Sequence, residues 1–213
     1  MALNSKVKAV ILVDLQADFT EFYKGALPVP GTDLEYLRKV EEAVRSLKNE
    51  GLLIVASQDW HPPDHISFFT NHLGKRPYEE IVIGDRKQIL WPPHCVQDTK
   101  GAEIVVDTRL IDWVVKKGQN PLYDSYSAFC DDGGFETGLE LFLKERGIGE
   151  LIIFGLATDY CVLATVTDAK ARGYEVCFLD ELSKGVDPVT AKEAIDKMER
   201  MGVRVYRSLA DLK

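Results

Sequence analysis

Basic charge is in short supply in this chain. Lys and Arg number 26 against 34 Asp and Glu, for a net charge of −8 and a pI near 5.1. A surface built to hold a phosphate backbone is therefore not expected, and nucleic acid is excluded as a partner. Long apolar runs are missing too. The N-terminal MALNSKVKAVILVDLQ starts like a signal peptide, with a basic patch and then an apolar run. The run is too short, meets Asp14 at once and is followed by no small-residue cleavage pattern, so no membrane span or export is expected. Cysteine is sparse. The 4 residues, at 95, 130, 161 and 177, have no CxxC spacing, and a chain of this length can bury a core without covalent staples. Reduced thiols in a cytoplasmic protein are the expectation. There is no repeat, no low-complexity tract and no G-x-G-x-x-G after the first strand, which counts against dinucleotide binding. What remains is ordinary for one globular domain over residues 1–213: 46% hydrophobic and 28% charged.

The elements alternate. Residues 7–13 form a β-branched apolar run, as in a strand buried on both faces. Pro28, Pro30 and Gly31 mark a loop. Thr32 and Glu35 have capping-box spacing before a helix whose apolar face is Leu34, Leu37, Val40, Val44 and Leu47, stopped by Gly51. Further strands are expected at 52–56, 111–115 (weakly), 150–155, 174–179 and 203–206. Helices are expected after Thr137, after Cys161 and from Asp187-Pro188, an N-cap with proline in the first turn. Strands alternating with helices predict an α/β protein: a six-stranded, mostly parallel sheet with helices on both faces. Between Trp60 and about Arg109 no strong period appears, and a stretch so long is usually functional. It holds all 4 histidines, 61, 65, 72 and 94.

Asp14, Asp59, Lys117 and Cys161 each stand at or just past the carboxyl end of a predicted strand, the rim where open α/β sheets bind ligands. In FGLATDYCVLA, an apolar run ends in a small-residue turn and a helical pattern begins at Cys161. A thiol at a helix N-terminus is favoured as thiolate and can be a nucleophile; the alternative is a buried structural cysteine. Asp14 beside it could take its proton, or could cap a turn. Lys117 precedes Gly118 at a strand end; Lys116 reads as a solvated neighbour. Asp59-Trp60-His61 and Trp91-Pro92-Pro93-His94 could give one carboxylate and two imidazoles to a divalent cation, leaving positions open for water or substrate. The alternative is that these histidines are hydrogen-bonded loop residues. Phe19, Trp91 and Tyr126 are core aromatics or, near the site, walls for a flat ring.

The ordered set DLQADF, DWHPPDHISF, WPPHC, KG before YSAF, and GLATDYCVLAT resembles nicotinamidase/pyrazinamidase, within the isochorismatase-like cysteine hydrolases, over residues 7–206. The resemblance implies a three-layer α/β/α fold. It implies Cys161 as nucleophile, Asp14 as proton acceptor and donor, and Lys117 orienting the pair. It implies an oxyanion hole from the backbone N–H groups of Ala157 and Cys161, with a cis peptide at Leu156-Ala157. Phe19 and Trp91 would flank the ring. One divalent metal ion, zinc in the first place with iron or manganese compatible, would be held by Asp59, His61 and His94, with His65 as a further candidate ligand. The activity implied is conversion of nicotinamide to nicotinic acid and ammonia through a thioester, for NAD salvage, with pyrazinamide also hydrolysed; a homo-oligomer stays open, and Asp159 receives no role. Two rivals stand beside it. A cysteine hydrolase of carbamoyl or ureido compounds would need the thiol, Asp14 and Lys117 but not the histidines. A non-enzymatic ligand-binding or redox-sensing protein would use Cys161 alone.

Overall fold

The computed structural model describes residues 7–212; the basic lead at 1–6 lies outside the described residues. Strand β1, Val7–Val13, is the centre of the sheet. Its alternation sends Val10 and Leu12 into one apolar layer and Ala9, Ile11 and Val13 into the other. Full burial of each large aliphatic side chain is worth about 1.5–3 kcal/mol, so a strand apolar on both faces is stable only between two layers. On the first face lies α1, Leu34–Asn49, packed through Leu37, Val40, Val44 and Leu47. The sheet continues with β2, Leu53–Asp59, and after a long connection with β5, Trp113–Lys117. That connection contains a small antiparallel hairpin, β3 (Glu80–Ile83) and β4 (Arg86–Ile89). Then follow α2 (Leu139–Glu145), β6 (Ile148–Gly155), α3 (Leu163–Ala171), β7 (Glu175–Leu179), α4 (Pro188–Arg200) and β8 (Arg204–Tyr206). Leu139, Leu143, Val166 and Met198 of these helices fill the second layer.

The six strands are parallel in the order β5-β2-β1-β6-β7-β8. This is the expected three-layer α/β architecture. The order runs outward in both directions from the β1–β6 pair, so the crevice beyond their carboxyl ends is the topological switch point where ligands bind. Gly155 makes the closure there possible. Its φ is +135°, and a Cβ would lie 2.1 Å from the Val13 carbonyl oxygen.

Several local expectations need correction. The strand expected at 111–115 runs two residues later. Ile111 closes a turn onto Thr108, and Asp112 clasps Ile54 instead, its N–H donating to the Ile54 carbonyl (2.8 Å) and its carboxylate accepting the Ile54 N–H (2.8 Å). The α1 cap is Asp33, which accepts the Tyr36 N–H, while Thr32 is buried and donates to the Val29 carbonyl. At α2 the cap position is Gly138 in the left-handed region, and Thr137 donates back to the Ala128 carbonyl. The Asp187-Pro188 start of α4 is as expected, with the Asp187 carboxylate accepting the Val189 and Thr190 N–H groups. No helix among the described residues is long and apolar enough to cross a membrane.

Candidate active site

Four strand ends meet at the rim. Asp14 follows β1, Asp59 ends β2, Lys117 ends β5, and Cys161 lies just past β6. Asp59 and Lys117 are register partners, so their side chains leave the sheet together. Lys117 is buried and its ammonium gathers the cluster: 2.5 Å to Asp59 Oδ1, 2.6 Å to the Ser125 carbonyl, 3.0 Å to Asp14 Oδ2 and 3.6 Å to Cys161 Sγ. Lys116 points the other way and lies over the Trp60 ring at 3.5 Å, which settles the register of the two lysines. Burial would lower the Lys117 pKa, but Asp14, Asp59 and the thiol more than reverse this, and it stays charged.

Asp14 adopts a positive φ of 48°. Ser57 fixes it, accepting its N–H (3.2 Å) and donating to Oδ1 (2.6 Å). Oδ2 is in ionic contact with Lys117 but takes no hydrogen bond of good geometry, so its lone pairs stay open to a proton. Asp14, Asp59 and Cys161 have ligand atoms within 4.8 Å of one another. Burial raises the Asp14 pKa against the pull of Lys117. Burial also raises the Cys161 thiol well above its ordinary range, with Lys117 opposing and the two carboxylates adding to the rise. Burial therefore works against the thiolate that a helix end favours, which gives a base beside the sulfur its use. The backbone setting of the thiol differs from expectation too. Cys161 lies within a wide π-helical turn, Thr158–Val162, that precedes α3, and Val162 N–H reaches back to the Ala157 carbonyl at 3.1 Å. The Leu156-Ala157 peptide is cis. The Ala157 N–H donates to no acceptor among the described residues.

The loop side carries the histidines. His61 Nδ1–H donates to the Gly118 carbonyl (3.0 Å) and His94 Nδ1–H to the Pro92 carbonyl (2.7 Å). Each Nε2 is thereby turned toward Asp59 Oδ2, at 3.5 and 4.0 Å. Gly118 is required for this approach, because a Cβ there would sit 2.3 Å from the His61 ring. Two imidazole lone pairs and a carboxylate oxygen converging without a donor between them fit a cation, and the carbonyl contacts are the outer bonds that orient metal-binding imidazoles. The pKa directions agree. His94 is held down to about 4 by burial and by His61. At His61, burial is outweighed by Asp59 and the pKa rises, a proton doing there what a cation would do. Asp59, shared with Lys117 and both histidines, is held below the carboxylate range despite its burial.

His65 is not brought to this group. Its Nε2–H donates to the Tyr123 carbonyl (3.0 Å) and its Nδ1 accepts from Ser67 Oγ (2.8 Å), leaving no nitrogen for an ion. Phe19, Trp91 and Tyr126 all line the pocket, a narrow cavity of ≈ 50 Å³ that Cys161, Ala157, Asp59 and His94 also reach. The Trp91 indole N–H donates to the Tyr126 hydroxyl at 3.0 Å.

Several residues here were not singled out from the sequence. Ser57 stands two before Asp59 on β2, a spacing that puts both on one face. Gln16, two after Asp14, accepts the Asp59 N–H (2.7 Å) and donates to its carbonyl (2.8 Å), clamping the carboxylate's backbone. Asp124 and Tyr160 line the pocket without any sequence signal.

The chain is similar to known proteins over nearly its whole length. Residues 8–208 match the Isochorismatase domain family. The nicotinamidase of Escherichia coli (strain K12) is 42% identical over 212 residues, covering 96% of both chains. Among solved structures, the nicotinamidase/pyrazinamidase of Acinetobacter baumanii superposes with a TM-score of 0.87 at 34% identity, covering 99% of this chain and 100% of the other. The pyrazinamidase of Pyrococcus horikoshii, in complex with zinc, gives 0.78 at 38% identity, with 93% and 98% covered. Sheet order, strand-end cluster and relatives converge, and the chain belongs to the isochorismatase-like hydrolases, in their nicotinamidase/pyrazinamidase branch.

Proposed function

We propose that this chain hydrolyses nicotinamide to nicotinic acid and ammonia through a thioester on Cys161, with one divalent ion held by Asp59, His61 and His94. The observation that carries this reading is the buried Lys117 ammonium touching both the Asp14 carboxylate and the Cys161 thiol, which itself lines a narrow aromatic pocket. Direct attack of water on an amide is slow, and a thiol divides the task into two easier steps. Asp14 takes the thiol proton as the sulfur bonds to the amide carbon. The oxygen charge that develops faces the N–H groups of Ala157 and Cys161, and one such donor is worth about 3 kcal/mol of barrier. Asp14 then gives its proton to the departing nitrogen, the C–N bond breaks and ammonia leaves. A water takes its place, its oxygen bonds to the thioester carbon as Asp14 removes one proton, the C–S bond breaks, Asp14 returns that proton to the sulfur, and the acid product departs and ionises in solvent. Lys117 keeps a positive charge beside Asp14 and the sulfur throughout, holding them in register.

A bound cation would supply a Lewis-acidic anchor for a ring nitrogen; zinc is the first choice, as in the Pyrococcus horikoshii structure, and iron or manganese suit the same donors. Phe19 and Trp91 offer flat apolar walls for the ring. Pyrazinamide, with the same carboxamide beside a nitrogen heterocycle, is a second substrate, and the nicotinic acid formed would serve NAD salvage. The test is ammonia release from nicotinamide by the wild type and by Cys161→Ala, with metal content measured on the same samples. The expected result is a loss of about 10⁴-fold or more in the variant at unchanged metal content. Substantial turnover by Cys161→Ala would refute the thioester route.

A further inference from the structure

Beside the active-site pocket lies a second, larger cleft of ≈ 540 Å³. Among the described residues, only Tyr126 and Tyr160 line both spaces. Their ring centroids stand 6.0 Å apart with the planes tilted by 32°. The two are held differently. Tyr126 is tied through its hydroxyl to the Trp91 indole N–H. Tyr160 meets Trp91 edge-on at 5.2 Å, and no hydrogen bond to its hydroxyl is found among the described residues.

We propose that Tyr160 sets the substrate size limit of this enzyme, its ring closing the carboxamide end of the pocket off from the adjoining cleft. The proposal rests on the nicotinamidase reading and extends it to leaving-group specificity. Tyr160 directly precedes the nucleophile and lines the same pocket as Cys161, so its ring stands at the end of the pocket where the carboxamide must sit. The backbone around it is pinned independently of that ring. Thr158 N–H donates to the Lys184 carbonyl (2.9 Å). The Asp159 carboxylate accepts the N–H groups of Val186 (3.0 Å) and Asp187 (3.2 Å) and the Thr190 hydroxyl (2.6 Å). Removing the ring therefore opens the wall without releasing the turn that carries Cys161. The space gained is acidic: Glu80, Asp131, Asp132, Asp159 and Asp168 outnumber Lys87 and Lys197 along it. An extension on the amide nitrogen is accepted there when neutral, and better when cationic.

The experiment compares kcat/KM for nicotinamide, N-propylnicotinamide and N-(2-aminoethyl)nicotinamide in the wild type, Tyr160→Ala and Tyr160→Phe. In Tyr160→Ala the ratio of extended amide to nicotinamide rises about tenfold or more, the worth of a few methylenes gaining room, and the aminoethyl compound gains at least as much as the propyl one. Tyr160→Phe keeps the wild-type ratio. Tyr160→Leu, with melting curves on all variants, replaces the alanine variant should that fail to fold. Ratios that stay within about threefold of wild type for both extended amides in a folded variant, when steric relief should give more, overturn the proposal. Failure of the parent reading would appear separately, as a wild type inert toward nicotinamide, and would overturn both.

Discussion

Asp14, Asp59, Lys117 and Cys161 come from the ends of four neighbouring parallel strands, whereas His61 and His94 sit on a long connection stitched by isolated bridges. On the rim, strand register does the positioning: Asp59 is opposite Lys117, and Val13 is opposite Gly155. On the loop side it is done by contacts such as His61 N–H to the Cys95 carbonyl (3.1 Å) and Trp91 N–H to the Ser67 carbonyl (2.7 Å). Asp59 belongs to both, with Oδ1 on Lys117 and Oδ2 toward the histidines. The rim encloses net charge in a dry place and depends on an internal cation. The loop side offers lone pairs that, in the proposed function, an external one would complete. Damage to the first should therefore cost fold and chemistry together, and damage to the second should cost metal and binding.

The sharpest break is Lys117→Met. It leaves the Asp14 and Asp59 carboxylates buried without their ammonium, and removing one partner of such a cluster typically costs about 3–5 kcal/mol. Urea unfolding should report a loss of that order, together with loss of ammonia release. Lys116→Met removes only a contact over the Trp60 ring, worth about 0.5–1 kcal/mol at an exposed site. A larger effect from Lys116→Met than from Lys117→Met would mean that the register at the end of β5 is misassigned.

The same division governs what could be read from the chain alone. Val7–Val13 was legible because a strand buried on both faces has a composition no surface element shares. The rim residues were legible because each follows such a run. Trp113–Lys117 was read two residues early because Ile111 is apolar, and the sequence does not reveal that Asp112 clasps Ile54 across a separation of 58 positions. The helix caps at Asp33 and Gly138 were missed for a related reason: Thr32 and Thr137 had the right type and spacing but spend their hydroxyls on tertiary partners. The β3–β4 hairpin escaped notice because four-residue strands carry too little period. Crowding of the histidines into one aperiodic loop beside Asp59 pointed to a cation-binding group, yet only the folded chain tells which ring nitrogens are already used.

His94→Ala breaks the loop side. The metal should bind at least about 10–100-fold more weakly, since even outer contacts of metal ligands are worth that much. Nicotinamide KM should rise more than kcat falls, because an anchor for the ring acts on ground state and transition state alike. Metal titration and steady-state kinetics on one preparation would check this, and chelation of the wild type should reproduce it. A His94→Ala variant that keeps its metal and its KM would remove the distinction between the two sides.

The finest test separates His65 from its neighbours, since it lies in the same loop, 4.2 Å from the His61 ring, yet is assigned no ion. Burial and the nearby His61 hold its pKa down to about 4. An unfolded histidine titrates near 6.5. As pH falls from about 6.5 to about 4, the unfolded chain takes up a proton that folded His65 refuses, so stability is lost across that window, by at most about 3 kcal/mol. His65→Gln cannot titrate and should lack this component. Measured by urea unfolding of metal-stripped protein at pH 7.5 and pH 4, the wild type should lose up to about 3 kcal/mol more than the variant. At pH 7.5 the variant should bind metal as the wild type does. A His65→Gln protein that sheds its metal as readily as His94→Ala would instead make this imidazole a ligand, and the hydrogen bonds to Tyr123 and Ser67 would then belong to a state the loaded enzyme abandons.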